Sequence, residues 1–403
     1  MRVSRLLNME SNSKGTFTLA TDAKPQADGN ANKPDPKSEK TTPEFERISA
    51  SELERAYILR PNVFNGINKI VQTIMSAKFN VVSPNKEIQE YINNFLINIG
   101  LTGGHLSWDE LIDRCLRYKC IYGDVYFELI ENSKGSEIID LDFIDTKKMD
   151  YAKDSEGKIV LDDYGNAVGY VEKLPMNMTV ENKIKPPDEV SLSSNEIYLP
   201  AERVAHFKLY AVGDGFYGIG LIEPAYKSII RGMNMEEALA NWTYNSGFPP
   251  RIAKVGDERN IPTPNKIDSA LKAIKSLNYK QNLSVPYYMD VSLLEARSTE
   301  NIKDNLEYFK DAEITALGIP KPFVTGGGEE TNRATLGNQD SLFRLTLKDI
   351  MKQFSAQMKK YVFRPIIKKR FPNAEESDMP TMEWGDLPPY VSTIDKDKSN
   401  DKK

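Results

Sequence analysis

Apolar residues recur at gaps of three and four along much of this chain. Between 62 and 76 the series Val63, Ile67, Ile70, Val71, Ile74 predicts a helix with one apolar face. A second helix is predicted over 86–99, with Gly100 as its stop signal, and a third over 107–121. Ser107 and Glu110 have the spacing of a capping box at the start of the third. Gly123-Asp124 breaks that helix. The stretches 77–82, 125–130, 137–143, 149–152, 168–174 and 204–208 then read as strands, with Pro84 closing the first and Asp-Ser-Glu-Gly and Tyr-Gly-Asn turns among the others. The polar segment 175–199 reads as an exposed loop. The fold class of this half is therefore α+β.

The second half is mainly helical. Gly213 to Gly220 is glycine-rich but lacks the spacing and lysine of a phosphate-binding loop, so it reads as a flexible joint before a helix over 222–242. A small subregion follows, with a strand at 251–255, a helix at 265–277 and a strand pair around 284–295. About fifty residues are marginal for a free-standing domain, so this piece needs neighbours. Ile302, Leu306, Phe309, Ile314 and Leu317 mark another helix, opened after Ser298 and ended by Pro320 and Pro322. Val324 to Arg333 is a glycine-rich loop predicted to be mobile. Phe343, Leu347, Ile350, Met351, Phe354, Met358, Tyr361 and Val362 form the stripe of a long helix that Pro365 should kink or end near Arg364. One further strand is predicted at Met382-Glu383-Trp384.

Composition narrows the function classes. The chain has 403 residues, 40% hydrophobic, and a formal charge of −5, so it is not a polycation seeking nucleic acid as a whole. Residues 10–45 are too poor in large apolar groups to offset their ordering entropy and read as a disordered arm. Cys115 and Cys120 read as buried small apolar residues rather than metal ligands, because only His105 and His206 are available as companions. No signal-peptide core is visible, and no run reaches the roughly 18 apolar residues of a membrane span. A soluble intracellular protein with no membrane contact is the expectation. No nucleophile elbow or metal-ligand spacing appears, so no catalytic residue, cofactor or metal is expected. The adjacent carboxylates Asp162 and Asp163, a pair that a carboxylate-dependent hydrolase could use, read as a surface turn.

The order of these pieces resembles the portal proteins of tailed phages and related double-stranded DNA viruses, in the shorter-chain branch. Tyr122-Gly123-Asp124-Val125-Tyr126 is similar to the strand leading into the wing. Val204-Ala205-His206-Phe207, then Gly213 to Gly220 and Ile222-Glu223-Pro224-Ala225, resemble the approach to the first stem helix. Tyr244-Asn245-Ser246-Gly247-Phe248-Pro249 resembles the stem-to-clip turn. Ala316-Leu317-Gly318-Ile319-Pro320 with Thr331-Asn332-Arg333-Ala334-Thr335-Leu336 resembles the second stem helix, tunnel loop and following helix.

The resemblance implies an elongated subunit with an α/β wing, a helical stem, a small α/β clip and a long helix after a flexible tunnel loop. The implied divisions are a disordered arm to 45, wing 46–215, first stem helix 216–246, clip 247–298, second stem helix 299–318, tunnel loop 319–336 and long helix 337–371. A wing strand and loose tail fill 372–403, with the crown short or absent. It further implies a non-enzymatic homo-oligomeric ring, usually of twelve subunits, at one capsid vertex of the virion, after assembly in the host cytoplasm. That ring is the channel for packaging and ejection of double-stranded DNA. Its other partners are terminase, a head–tail adaptor and the major capsid or scaffolding protein. Thr325, Gly326, Gly327, Gly328, Glu329, Glu330, Thr331, Asn332 and Arg333 are the implied channel loop. Arg344, Lys348, Lys352, Lys359 and Lys360 form a candidate basic helix face. That face has three readings: solvated, paired with acidic wing residues of a neighbouring subunit, or in contact with packaged DNA. Phe343 and Phe354 read as core rather than as a base-stacking platform. A virion structural or interaction protein of another kind is the alternative.

Overall fold

The first described helix, α1 (Ala50–Leu59), is held by a capping box in which Ser49 and Glu52 satisfy each other's backbone amides. The computed structural model describes residues 47–99, 107–175, 184–213, 215–247, 251–256, 259, 261–276, 289–293, 302–325 and 333–388. The predicted arm, the tail beyond 388 and Gly100 lie outside the described residues. α2 (Pro61–Ser76) buries Val63, Ile67, Ile70, Val71 and Ile74, the stripe read from the sequence. α3 (Lys86–Asn98) and α4 (Trp108–Tyr122) follow. The Ser107–Glu110 capping box is present, and Gly123 ends α4 at φ 83°, a left-handed position that favours glycine. Cys115 and Cys120 are buried on α4, where burial raises the Cys120 thiol to about 12 and pushes Cys115 higher still.

β2 (Asp124–Glu131) is the central strand of an antiparallel sheet, between β3 (Ile138–Ile144) and β7 (Val204–Lys208). Its side chains alternate: Val125, Phe127 and Leu129 enter the main core with α2, α4 and the long C-terminal helix, while Tyr126 enters a second cluster. That cluster lies against a second antiparallel sheet of β4 (Met149–Tyr151), β5 (Gly169–Lys173) and β6 (Glu196–Pro200). β6 falls inside the segment read as a loop. Its Tyr198 and Leu199 are buried, but the run Ile197-Tyr198-Leu199 is short and does not alternate, so it does not mark a strand. β1 (Phe79–Val82) pairs with β10 (Thr381–Trp384), so the predicted last strand closes onto the first.

At the centre of the second cluster is a polar network that the sequence did not signal. Buried His206 places Nε2 2.8 Å from Asp124 Oδ1, and the same oxygen accepts the Gly218 amide at 2.7 Å. The ring stacks on Tyr126 at 4.3 Å, and the Tyr151 and Tyr170 hydroxyls stand 3.0 and 3.2 Å from Nδ1. Tyr151 donates its hydroxyl proton to the Phe216 carbonyl at 2.6 Å. The network ties the two sheets to the glycine-rich segment. That segment is no flexible joint where it meets the core. A β-carbon at Gly218 or Gly220 would collide with the backbone of Gly123 or Ile121. These glycines permit close backbone approach, which sequence alone does not separate from conformational freedom.

α5 (Tyr226–Gly247) leads to a two-stranded sheet, β8 (Arg251–Val255) with β9 (Met289–Leu293), and to α6 (Pro264–Ser276). Of the strand pair predicted around 284–295, residues 289–293 pair with 251–255, and 284–288 and 294–295 lie outside the described residues. α7 (Ile302–Ala316) returns alongside α5. α9 (Arg333–Met358) continues through a π-helical turn at Lys359–Phe363 into α10 (Arg364–Arg370). Pro365 therefore neither ends the helix nor stands unaccommodated, because the wider turn is placed where its missing amide and its ring disrupt the ordinary bonding. Among the described residues no helix is long and apolar enough to cross a membrane.

Lys119 on α4 is fully buried. Its ammonium donates to Gln357 Oε1 at 3.0 Å and lies 5.8 Å from the Phe354 ring centre. Burial lowers its pKa from 10.5 to about 8. Below pH 8 the lysine is charged in both folded and unfolded chains, and its burial penalty is fully present. Between about 8 and 10.5 the folded chain alone is neutral there, so this contribution favours folding increasingly as pH rises. Lys119→Met is expected to raise the melting temperature at pH 7 and to reduce this rise across pH 8–10. Thermal melts against pH check it.

Candidate functional site

The antiparallel helices α5 and α7 stand on a buried ionic clamp. Arg60, the residue before Pro61 at the start of α2, is 3% exposed. Its Nη1 lies 2.7 Å from Glu236 Oε2 on α5, and its Nη2 lies 2.6 Å from Glu313 Oε1 on α7. Gly232 lets α5 come close: a β-carbon there would stand 3.2 Å from the Glu313 carboxylate and 3.3 Å from the guanidinium. Burial raises the Glu313 pKa above the usual carboxylate range, and the Arg60 hydrogen bond and charge oppose that rise. Glu223, just before α5, is buried; on α5 itself Glu236 is held by Arg60, whereas Lys227, Arg231 and Glu237 face outward. Arg60 carried no periodic signal. Its neighbour Pro61 marks a helix start, but nothing in the sequence says where the guanidinium points.

After α7 the chain turns at Gly318, whose φ is 67°, and Pro320 follows. The chain then forms a short helix, α8 (Lys321–Thr325), with Phe323 buried 5.8 Å from the Phe343 ring. Lys321 bridges Asp311 at 2.8 Å and Glu307 at 3.3 Å, fixing α8 to α7. Helical residues therefore occupy both ends of the span 319–336 read as one loop, since α9 begins at Arg333. Proline at the second position of α8 suits a first helical turn, and that is why Pro322 did not mark irregular chain. Thr325 is the last residue of α8, its hydroxyl donating to the Lys321 carbonyl at 3.0 Å. Gly326, Gly327, Gly328, Glu329, Glu330, Thr331 and Asn332 lie outside the described residues. Beside the root of this loop is a cleft of about 480 Å³ lined by Arg60, Glu236, Leu306, Asp311, Lys321 and Thr325.

The five residues of the candidate basic face do not act as one group. Arg344 is paired with Asp340 at 2.8 Å and donates to the Leu387 carbonyl at 2.6 Å and the Pro388 carbonyl at 2.5 Å, so it anchors the C-terminal segment. Lys360 is exposed and lies over the Tyr361 ring at 4.9 Å. Lys348 and Lys352 are exposed and Lys359 is half-buried; none of the three has an ion-pair partner among the described residues. Phe343 and Phe354 are buried in the core. Asp162 accepts the amides of Tyr164 and Asn166 at 2.9 and 2.8 Å, a turn-forming role rather than acid–base chemistry. Among the described residues no group of three or more potential ligands could hold a metal ion.

A protein-family model described as "Portal protein of Mu bacteriophage" matches residues 52–396. The chain belongs to this portal family. No curated protein sequence matches it. Solved structures share the portal fold at low identity. A chain from the neck of an empty gene transfer agent particle, computed with C6 symmetry, aligns with TM-score 0.57 and 12% identity over 84% of each chain. One from the neck of the native particle, computed with C12 symmetry, gives 0.55 and 13% over 87% of each. A crystal structure of an HK97 family phage portal protein from Corynebacterium diphtheriae gives 0.50 and 11%, over 82% of this portal chain and 93% of that one.

In this portal fold the clamp joins α5 and α7 to the start of α2. Arg60→Met is expected to destabilise the chain by roughly 3–5 kcal/mol, because it leaves the Glu313 carboxylate buried without its cation. The double variant Arg60→Met with Glu313→Leu should recover much of that loss. Denaturant unfolding of the three proteins checks it.

Proposed function

We propose that this chain is the subunit of a homo-oligomeric ring at one capsid vertex of a phage virion, serving as the channel through which double-stranded DNA is packaged and ejected. The family match over residues 52–396 carries the reading, and likeness to neck chains computed with C6 and C12 symmetry supports a ring, twelve-fold included. The terminase motor and the head–tail adaptor dock on this ring, and the capsid or scaffolding protein surrounds it after assembly in the host cytoplasm. The family points to a structural component rather than an enzyme.

The physical fit is direct. α5 has 22 residues and spans roughly 33 Å at 1.5 Å per residue, a suitable length for a channel wall. A conduit must not hold its duplex. Each phosphate neutralised steepens the salt dependence of binding by about 0.9, multiplied around a ring. The outward charges of α5 are mixed in sign, which suits sliding better than gripping. The stretch Thr325 to Arg333 joins α8, fixed through Lys321, to α9; in the proposed ring it is the channel loop that the DNA passes, with Arg333 its one cation.

Negative-stain imaging and native mass measurement of the purified chain are expected to show a closed ring with an axial hole; a chain that stays single under all assembly conditions overturns the proposal. Deleting Gly326 to Glu330 should leave the ring intact while impairing DNA packaging or retention. Loss of folding in that variant would make the segment structural instead.

A further inference from the structure

The exposed side of α9 carries a pattern that its own chain does not use. The core side holds Phe343, Leu347, Ile350, Met351, Phe354 and Met358. On the opposite side Leu342 and Leu345, three residues apart on the helix, are 67% and 64% exposed. Positions 342, 345, 349, 352 and 356 share one side of α9 and carry Leu, Leu, Asp, Lys and Ala, and Lys359 of the π-helical turn follows on that side. Lys348, Lys352 and Lys359 lie along this side without ion pairs among the described residues. Other cations of the same long helix are engaged: Arg344 by Asp340, Arg364 by Glu376 and Lys369 by Glu131.

A group of carboxylates sits elsewhere. Glu128 on β2 lies directly across from Asp142 on β3, a like-charge cross-strand pair that Arg203 offsets at its Glu128 end. Glu172 on β5 adds a third carboxylate. Burial raises its pKa, Lys148 opposes that, and the Glu128 and Asp142 charges reinforce it. Arg203 reaches Glu128 at 2.9 Å, while Asp142 is exposed. No described ion pair within the chain joins this face to the α9 lysines.

We infer that the outward side of α9 docks on a second copy of this chain, with Lys348, Lys352 and Lys359 against the Glu128–Asp142–Glu172 face and Leu342 and Leu345 sealing the contact. The inference rests on the ring reading and specifies one surface pair within it. Charge complementarity selects a second copy as the occupant, since one chain presents both halves of the contact on separate elements.

A charge-swap series on the full chain tests it, read by native mass measurement with circular dichroism melts as folding control. The triple variant K348E/K352E/K359E is expected to stay folded and lose the ring, and adding D142K and E172K is expected to restore it. The milder K348Q/K352Q/K359Q variant should weaken assembly and make it less sensitive to salt, and it serves as the reading should the reversal unfold the chain. A ring unchanged in these lysine variants overturns this contact while leaving the ring reading intact. A folded reversal variant that stays dissociated with D142K/E172K also overturns it, as the two faces are then not partners. An intact variant ring that has lost salt-sensitive binding to duplex DNA overturns it in favour of nucleic acid. A wild-type chain that never assembles overturns the ring reading, and this contact with it.

Discussion

Arg60 is the constraint on which the helical half depends. One guanidinium, removed from water, joins the start of α2 to carboxylates 176 and 253 residues further along the chain. A buried ion pair is a weak source of net stability, because desolvating the charges costs much of what their attraction returns. It is a strong source of geometry, since an arginine fork has few orientations that satisfy two carboxylates. Apolar packing would let α5 and α7 slide and rotate over the body; the clamp does not. Lys321 continues the same logic one turn further, tying α8 to Asp311 and Glu307. The helix that carries the glycine-rich segment is therefore referred back to the core through two cations.

The β-rich half is joined to those helices by backbone contact rather than by charge. Gly218 and Gly220 lie against Gly123 and Ile121 so closely that no side chain fits, and the Leu221 amide donates to the Cys120 carbonyl at 2.8 Å. Asp124 anchors the junction, accepting from Gly218 while it orients His206 between the two sheets. The approach to α5 is thus built on the end of α4 and the first turn of β2. The long C-terminal helix closes the arrangement. It packs against Phe207 of β7 through Phe354 at 5.6 Å, and it crosses Pro365 by widening one turn rather than breaking. Together these contacts give a body rigid enough to hold a helical pair, while the outward charges of α5 and α9 remain for whatever surrounds the subunit.

The elements with strong local signals were legible in the sequence. The apolar stripes of α2 and α9, the Ser107 capping box, the left-handed stop at Gly123 and the strand that follows it appear where their spacing puts them, because these depend on residues within a turn or two of each other. β6 was not legible, since it is an edge strand whose order comes from its pairing with β5 and whose own sequence barely alternates. α8 was hidden by Pro322, which reads as a breaker unless it is known to occupy a first turn. The family resemblance carried the fold class and the order of the pieces across weak local signals. It did so through short motifs in sequence, none of which is specific alone.

What the sequence determined by itself was the set of elements, their order and the family they belong to, since periodicity, caps and turn residues act over a few positions. Which charges meet was decided only in three dimensions. Arg60, Glu236 and Glu313 are unremarked singly, and Arg344 and Lys348 look alike on a helical wheel. Yet one arginine is buried in a clamp, another anchors the C-terminal segment, and a lysine beside it faces outward. Long-range electrostatic pairing has no period, so it becomes readable only when packing has brought the partners together.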